Sequence, residues 1–367
     1  MLIGSIYGWE IGRDDLFDPQ SSRNRDDCLE PMRVMREYAY SRAIELHTED
    51  VLHKQGIKPD FSLYMESIPM GTQEIARNYL IRFETPLTVP INQNRDYLEQ
   101  FDGIFTWDLD LLEGKSSDTS LRKIPKEKFT EIRTPNPRPQ NAQLEAIGEL
   151  PSYLQRSIFC CLIASNRQAN LPDKRELYSE RAKIIRWFER HHPEGFHLYG
   201  NGWKVPEKRF GKLGKLRYRL EKVSPFLLKR PVFSSYQGPT KTKQEVLLQS
   251  KFCICFENAR DIRGYLTEKI FDSLFAGCIP VYWGEPDIEQ WIPKECFIDF
   301  RNFDSYEGLC EFLHQITPEC FKVYQDAGQE FLNSENFYVH SSQNFSKVII
   351  DRIFSDFDSA HLPRGGA

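Results

Sequence analysis

Residues 251–284, KFCICFENARDIRGYLTEKIFDSLFAGCIPVYWG, constrain the fold of this chain more than any other stretch. Residues 252–256 form an apolar run that is too short for a helix and is bounded by polar residues, the pattern of a buried strand. Glu257 and Asn258 then open a polar loop that carries Arg260, Asp261 and Gly264. Thr267 is a residue type suited to an N-cap, and the spacing of Ile270, Phe271, Leu274 and Phe275 gives the helix that follows one apolar face. Ala276 and Gly277 stop that helix, and 278–283 begins a second buried strand. A strand–loop–helix–strand unit of this kind belongs to a parallel sheet, whose ligands bind beyond the carboxyl ends of the strands. The loop and first helical turn place Glu257, Asn258, Tyr265, Glu268 and Lys269 there.

The rest of the 367 residues is long enough for two domains. In the first half, strands are expected at 2–7, 61–65, 79–83 and 101–107, with a helix over 31–46. A proline-rich passage at 133–139 reads as an extended linker. Beyond it, 157–164 is a fully buried strand, Asp173 caps a helix running to about His191, and 196–200 is the next strand. Helices at about 306–316 and from Phe321 to the end close the chain. This pattern predicts an α/β protein with two Rossmann-like domains facing a cleft: 1–150, 151–345, and a C-terminal helix or tail at 346–367.

Composition narrows the partners. Net charge is −5, which excludes a general polyanion binder, and no nucleic-acid motif is present. Residues 204–243 are locally basic, with Lys208, Arg209, Lys212, Lys215, Arg217, Arg219, Lys222, Lys229 and Arg230 opposed by Glu207 and Glu221. Phe210, Leu213, Leu216, Tyr218 and Leu220 interleave with these charges. Segment 204–230 therefore reads either as a solvated basic loop or as a peripheral contact with an anionic membrane. No run reaches the roughly 20 apolar residues that span a bilayer, and no signal peptide is visible. The nine cysteines are odd in number and show no zinc-site spacing, so they read as free thiols of a reducing cytoplasm.

Three groups of residues could carry chemistry. The first is the helix start at Thr267, whose unpaired N–H groups suit a phosphate. Lys269 adds a full charge there, Glu268 can accept bonds from two adjacent sugar hydroxyls, and Tyr265 can stack on a ring. Plain solvated first-turn residues would look the same. Neither GxGxxG nor GxxxxGK[ST] occurs. The second group is Ser165 and Asn166 with Asp173, Lys174 and Arg175, where an arginine in a first helical turn could clamp a diphosphate in bidentate fashion. The third is Glu84 in FETP, a carboxylate just past a strand and a candidate general base. Surface charge is the ordinary alternative for both.

FENARDIRGYLTEKIFDSLFAGCIPVYWG resembles the signature of the alpha-1,3-fucosyltransferase family: a strand, FEN, a variable loop, Y-x-TEK, a helix and a G-x-I-P-V strand. The segment from Trp291 through Phe303 is similar as well, and in the first half RFETP is similar to the family's F-E-S-P. The resemblance implies a GT-B fold that binds GDP-fucose in its C-terminal half and the acceptor in its N-terminal half. It implies Glu84 as the base and Arg175 and Lys269 on the diphosphate. Glu268 falls on sugar hydroxyls, and Asn166, Glu257, Asn258 and Tyr265 line the donor site. The implied reaction is an inverting transfer of L-fucose from GDP-β-L-fucose to a glycan hydroxyl, O3 of GlcNAc in the first instance, on an oligosaccharide acceptor that a lipid could carry. GDP-fucose is a co-substrate; no cofactor or metal is required, and Asp108 and Asp110, which have the DxD spacing, lie in the predicted acceptor half. The alternatives are a GT-B transferase with another nucleotide sugar and a non-catalytic glycan-binding relative. The expected location is cytoplasmic, peripheral at the inner face of the membrane.

Overall fold

Six parallel strands form the first sheet: β1 (Leu2–Tyr7), β2 (Ile44–Thr48), β3 (Phe61–Met65), β4 (Arg77–Arg82), β5 (Gly103–Thr106) and β6 (Phe129–Glu131). They lie in the order β2-β1-β3-β4-β5-β6. All five residues of β3 are buried, because helices cover both faces of a parallel sheet and leave no solvent face to alternate with. Helix α1 (Glu30–Ser41) packs Met32, Met35 and Ala39 on the sheet, and α2 (Glu49–Gln55) follows β2. The expected helix over 31–46 is therefore two elements. Ala43 adopts a left-handed φ of 57°, which ends the helical run, and Ile44 and Leu46 then turn inward at the two-residue period of a strand. These coordinates come from a computed structural model, which describes residues 1–8, 11–66, 77–139, 149–170, 172–207, 211–228 and 232–361.

A second sheet holds β7 (Ile158–Ile163), β8 (Phe196–Tyr199), β9 (Tyr236–Gly238), β10 (Ser250–Phe256), β11 (Ile279–Trp283) and β12 (Ile298–Asp299), again all parallel. Their order is β12-β11-β10-β7-β8-β9. Counted from β7, this is the 3-2-1-4-5-6 order of a doubly wound nucleotide-binding sheet, with its reversal between β7 and β10. Helices α3 (Tyr178–His191), α4 (Gly211–Leu228), α5 (Lys243–Leu247) and α6 (Glu268–Phe275) connect the strands, and α7 (Tyr306–Gln315) and α8 (Pro318–Leu332) follow the sheet. The unit predicted at 251–284 is present as β10, α6 and β11, with Ile270, Phe271, Leu274 and Phe275 all buried.

Several sequence expectations shift. Helix α3 begins at Tyr178, and Asp173 does not cap it. Instead Glu176 pairs with Ala259 in an antiparallel bridge and the Leu177 N–H donates to the Asn258 carbonyl at 3.1 Å, so this backbone is committed to the loop after β10. Within the basic segment, residues 211–228 form α4 rather than a loop, while Lys208, Arg209, Phe210, Lys229 and Arg230 lie outside the described residues. The helix expected from Phe321 onward begins earlier and breaks. The Thr317 hydroxyl caps α8 by accepting from the Cys320 N–H at 3.2 Å, with Pro318 at its first turn, and α8 ends at Leu332. The last long helix, α9 (Ser342–His361), packs Phe345, Ile349, Ile350 and Ile353 into the core of the first sheet. The compact units are accordingly Met1–Pro137 with Phe337–Ala367, and Arg138–Asn336.

Because Ile349 has no solvent exposure, Ile349→Ala removes packing that a small cavity cannot replace. A loss of about 2–5 kcal/mol is expected, read as a lower urea midpoint of the first unit's unfolding transition, and an unchanged midpoint would refute the docking of α9.

Candidate functional site

The carboxyl ends of β7 and β10 meet at the reversal of the second sheet, and Glu257 is the first residue beyond β10. Its side chain has no solvent exposure. The geometry shows what holds a charge there: Oε1 accepts from the Thr267 N–H at 2.9 Å, Oε2 accepts from the Thr267 hydroxyl at 2.6 Å, and Lys269 Nζ stands 3.2 Å from Oε2. Thr267 is the N-cap residue of α6 as expected, but its hydroxyl serves Glu257 instead of capping the helix. One buried carboxylate thus ties the end of β10 to the start of α6. Gly284, just past β11, makes room for it, since a Cβ there would lie 2.4 Å from Glu257 Cγ.

The same contacts aim the first turn of α6. Lys269 Nζ donates to Thr267 Oγ1 at 2.9 Å and is 3.6 Å from Glu268 Oε1, with 18% of its side chain exposed. Glu268 keeps 43% of its side chain exposed and also faces Lys243 Nζ at 3.7 Å. Partial burial disfavours its charge, but Lys269 and Lys243 outweigh that and hold the carboxyl well below the usual carboxylate range. Glu268 is therefore ionised at every physiological pH, an acceptor for hydroxyl groups.

Asn258 and Tyr265 play a different part from the one the sequence suggested. Tyr265 is only 1% exposed, so its ring offers no open face for stacking, and its hydroxyl receives the Asn258 Nδ2–H at 3.2 Å. Asn258 Oδ1 in turn accepts from Arg181 at 3.0 Å. Arg181, buried on α3, also donates to the Phe256 carbonyl from Nε at 3.1 Å and from a terminal nitrogen at 2.6 Å. Sequence reading missed Arg181 although its spacing from Tyr178, Ile185 and Phe188 puts it on the apolar face of α3, and only the packing of α3 against the end of β10 gives it a partner. Arg175 is joined to the site by the backbone, as the Arg260 N–H donates to its carbonyl at 2.8 Å. Its guanidinium makes a bidentate pair with Asp173, at 3.0 and 2.9 Å. Asn166, three residues beyond β7, uses Nδ2 to hold the carbonyls of Gly202 and Val205 at 3.1 and 2.9 Å, which fixes the segment leading toward α4.

Glu285 was also missed. Its carboxyl is buried, accepts from the Gly264 N–H at 3.2 Å, and so pins the loop between FEN and TEK from the far side. Burial pushes its pKa up to about 7, against the opposing pull of the Gly264 N–H and Trp291.

Glu84 lies in the other unit, at the carboxyl end of β4. Its N–H donates to Glu66 Oε1 at 2.5 Å and its carbonyl accepts from Asn92 Nδ2 at 2.9 Å, so its main chain is fixed on both sides. Burial raises the Glu66 carboxyl. Asp108, of the DxD-like pair, caps a short turn by accepting from the Leu111 N–H at 3.2 Å and faces the buried Arg82 at 3.7 Å.

Residues 214–329, which carry β9 to β12 and α6, match the family model for the C-terminal region of glycosyltransferase family 10 (fucosyltransferase). Over those residues the chain is similar to the C-terminal region of glycosyltransferase family 10. The alpha-(1,3)-fucosyltransferase FucT of Helicobacter pylori is 43% identical over 112 residues, 30% of this chain and 23% of that protein. Alpha-(1,3)-fucosyltransferase B of Drosophila melanogaster is 36% identical over 91 residues, 24% of this chain and 20% of that protein. These matches thus span under a quarter of either relative. By structure, an alpha1,3-fucosyltransferase crystal structure aligns over 98% of this chain and 88% of its own at 16% identity and a TM-score of 0.53. A sucrose-phosphate synthase from Thermosynechococcus elongatus aligns over 98% and 99% at 10% identity and a TM-score of 0.52. The fold of this chain is GT-B, with two Rossmann-like units.

The raised Glu285 carboxyl makes a pH prediction. Its unfolded value is 4.5 and its folded value about 7, so between them the folded state binds more protons and stability falls as pH rises through that window. Glu285→Gln, which keeps an acceptor for Gly264, flattens the decline in thermal midpoint between pH 5 and 8 (roughly the window where such a group titrates). An unaltered decline would assign the dependence elsewhere.

Proposed function

We propose that this chain is an inverting fucosyltransferase, moving L-fucose from GDP-β-L-fucose to a hydroxyl of an oligosaccharide, O3 of GlcNAc being the first acceptor to test. The observation that carries this reading is the Glu257–Thr267–Lys269 lock at the sheet reversal, which sets a cation and an ionised carboxylate side by side at the start of α6. Lys269, the α6 N-terminus and the Arg175 guanidinium would stabilise the charge that develops on GDP as the anomeric C–O bond breaks. Glu268 would hold donor hydroxyls. Glu84 would take the acceptor proton, its fixed main chain limiting how far its carboxylate can wander. Charge at the leaving group comes from side chains in this scheme, so it calls for no metal.

A second donor class stays in view because the fold does not select the sugar, as the sucrose-phosphate synthase likeness illustrates. Thermal shift with GDP, UDP, GDP-fucose and GDP-mannose separates the readings: stabilisation by the GDP compounds supports this one, and a shift with UDP alone removes it. Glu84→Gln should lower transfer about 10²–10⁴-fold with GDP affinity unchanged. Lys269→Ala alone is a poor test, because it strands the buried Glu257 carboxylate, a change that costs about 3–5 kcal/mol. The pair Glu257→Gln with Lys269→Met avoids this and should weaken GDP binding about 10–100-fold, the worth of one charge-assisted contact. Unchanged GDP affinity would take Lys269 off the diphosphate.

Helix α4 supports a peripheral membrane contact at the cytoplasmic face. Leu213, Leu216, Leu220 and Val223 form a stripe in which each side chain is more than half exposed. Lys212, Lys215, Arg217, Arg219 and Lys222 surround it, with Glu221 already paired to Arg217 at 2.7 Å. Such a stripe could also zip to a second copy, but the flanking positions Lys212, Arg217 and Arg219 would then repel their counterparts. An anionic bilayer satisfies both the stripe and its collar. Co-sedimentation with phosphatidylserine-containing vesicles, lost in Leu216→Ser/Leu220→Ser and absent with neutral vesicles, is expected; equal recovery with both vesicle types would dismiss the contact.

A further inference from the structure

We propose that His192, Cys310 and His314 form a site for a borderline divalent cation, zinc in particular, that clamps the C-terminal ends of α3 and α7 together. Their ligand atoms all lie within 4.8 Å of one another. Cys310 and His314 are four residues apart on α7 and so share one helix face, while His192 is the C-cap residue of α3. Imidazole nitrogen and thiolate sulfur are the donors zinc prefers, and the small movement needed to reach bonding distances of about 2.0–2.3 Å leaves a fourth position to solvent on the exposed His314 side.

Two further observations favour a cation here. Both helices present their C-terminal ends, where the unsatisfied carbonyls carry partial negative charge. The two imidazoles also stand together, ring centres 5.2 Å apart, and a neutral imidazole is a common metal ligand. Burial, His192 and Lys251 together lower the His314 pKa, leaving a neutral ring with a lone pair to offer. Burial followed by Glu311 pushes the Cys310 thiol up to about 11, so binding must displace its proton. Lys251 opposes the incoming cation and Glu311 assists it.

The ligands are held ready by packing around them. The His314 ring stacks on Phe159 at 4.3 Å, and the two helices are already joined where Trp187 Nε1 donates to Glu307 at 2.7 Å and the Tyr306 hydroxyl donates to Glu180 at 3.0 Å. Phe159 stands near the amino end of β7, whereas Asn166 and Glu257 lie beyond the carboxyl ends of β7 and β10. The proposed metal is thus structural, on the opposite end of the sheet from the donor site. This inference does not depend on which sugar or acceptor the protein uses.

The test uses the reduced full-length chain. Cobalt(II) should give the near-ultraviolet thiolate-to-metal charge-transfer band of a cysteine-bound ion, and zinc should raise the thermal midpoint of the second unit. Affinity should increase with pH, because the Cys310 proton is released on binding. Cys310→Ser should abolish the band, and His314→Ala, an exposed position that folding tolerates, should weaken cobalt binding by more than about tenfold. Absence of the band in the native protein overturns the site. So does a band that survives Cys310→Ser, which would report the exposed Cys28 or Cys320 instead. An unchanged cobalt affinity in His314→Ala overturns it as well.

Discussion

Everything distinctive about the second unit depends on a carboxylate buried without solvent, Glu257. An ion in that position is tolerable only if each oxygen is met by donors, and Thr267 and Lys269 meet them. The constraint runs outward from there. Thr267 must sit where its N–H and hydroxyl reach the end of β10, which fixes where α6 starts. Lys269 must turn back toward Glu257, which sets Glu268 beside it. Gly284 must lack a side chain so that β11 can pass. A strand end, a helix start and the next strand end are thereby bound into one rigid corner, and the residues available to a ligand are those the lock leaves facing out.

Around that corner stand residues that hold rather than touch. Arg181 clamps the last carbonyl of β10 and the Asn258 side chain, Asn258 orients Tyr265, and Glu285 holds the loop at Gly264. Each buried polar group meets a partner supplied by a different element, so the loop between FEN and TEK is fixed from the α3 side and from the β11 side. Tyr265 belongs to this support. Its near-complete burial makes it part of the wall, although its place in the Y-x-TEK pattern suggests a surface for a ligand ring.

Much of this was legible in the chain. The strands β1, β3, β4, β5, β7, β8, β10 and β11 announce themselves as short apolar runs between polar breaks, and the helix face of Ile270, Phe271, Leu274 and Phe275 follows from spacing alone. The misreadings share one cause. Strand β2 was absorbed into a helix because Ile44 and Leu46 suit either period, and the left-handed turn at Ala43 leaves no mark in residue type. The start of α3 was placed too early because Asp173 is a good capping residue, whereas the backbone at Glu176 and Leu177 is claimed by the loop after β10. Arg181 shares the apolar face of α3 with Tyr178, Ile185 and Phe188, a signal that spacing carries, whereas Glu285 gave none, since a loop charge is conspicuous only once its burial is known.

The sequence by itself determined the α/β class, the strand–loop–helix–strand unit and the chemical identity of its polar residues, because periodicity and residue type are local properties. Only the tertiary structure decided the strand orders, the return of α9 to the first unit, and which of Glu257, Glu268, Lys269 and Tyr265 are buried supports and which face outward. It alone also brought His192 to Cys310 and His314, which no spacing along the chain connects. The physical reason is the same in each case: burial and long-range partners set the charge, exposure and direction of a side chain, and neither exists until distant segments have packed.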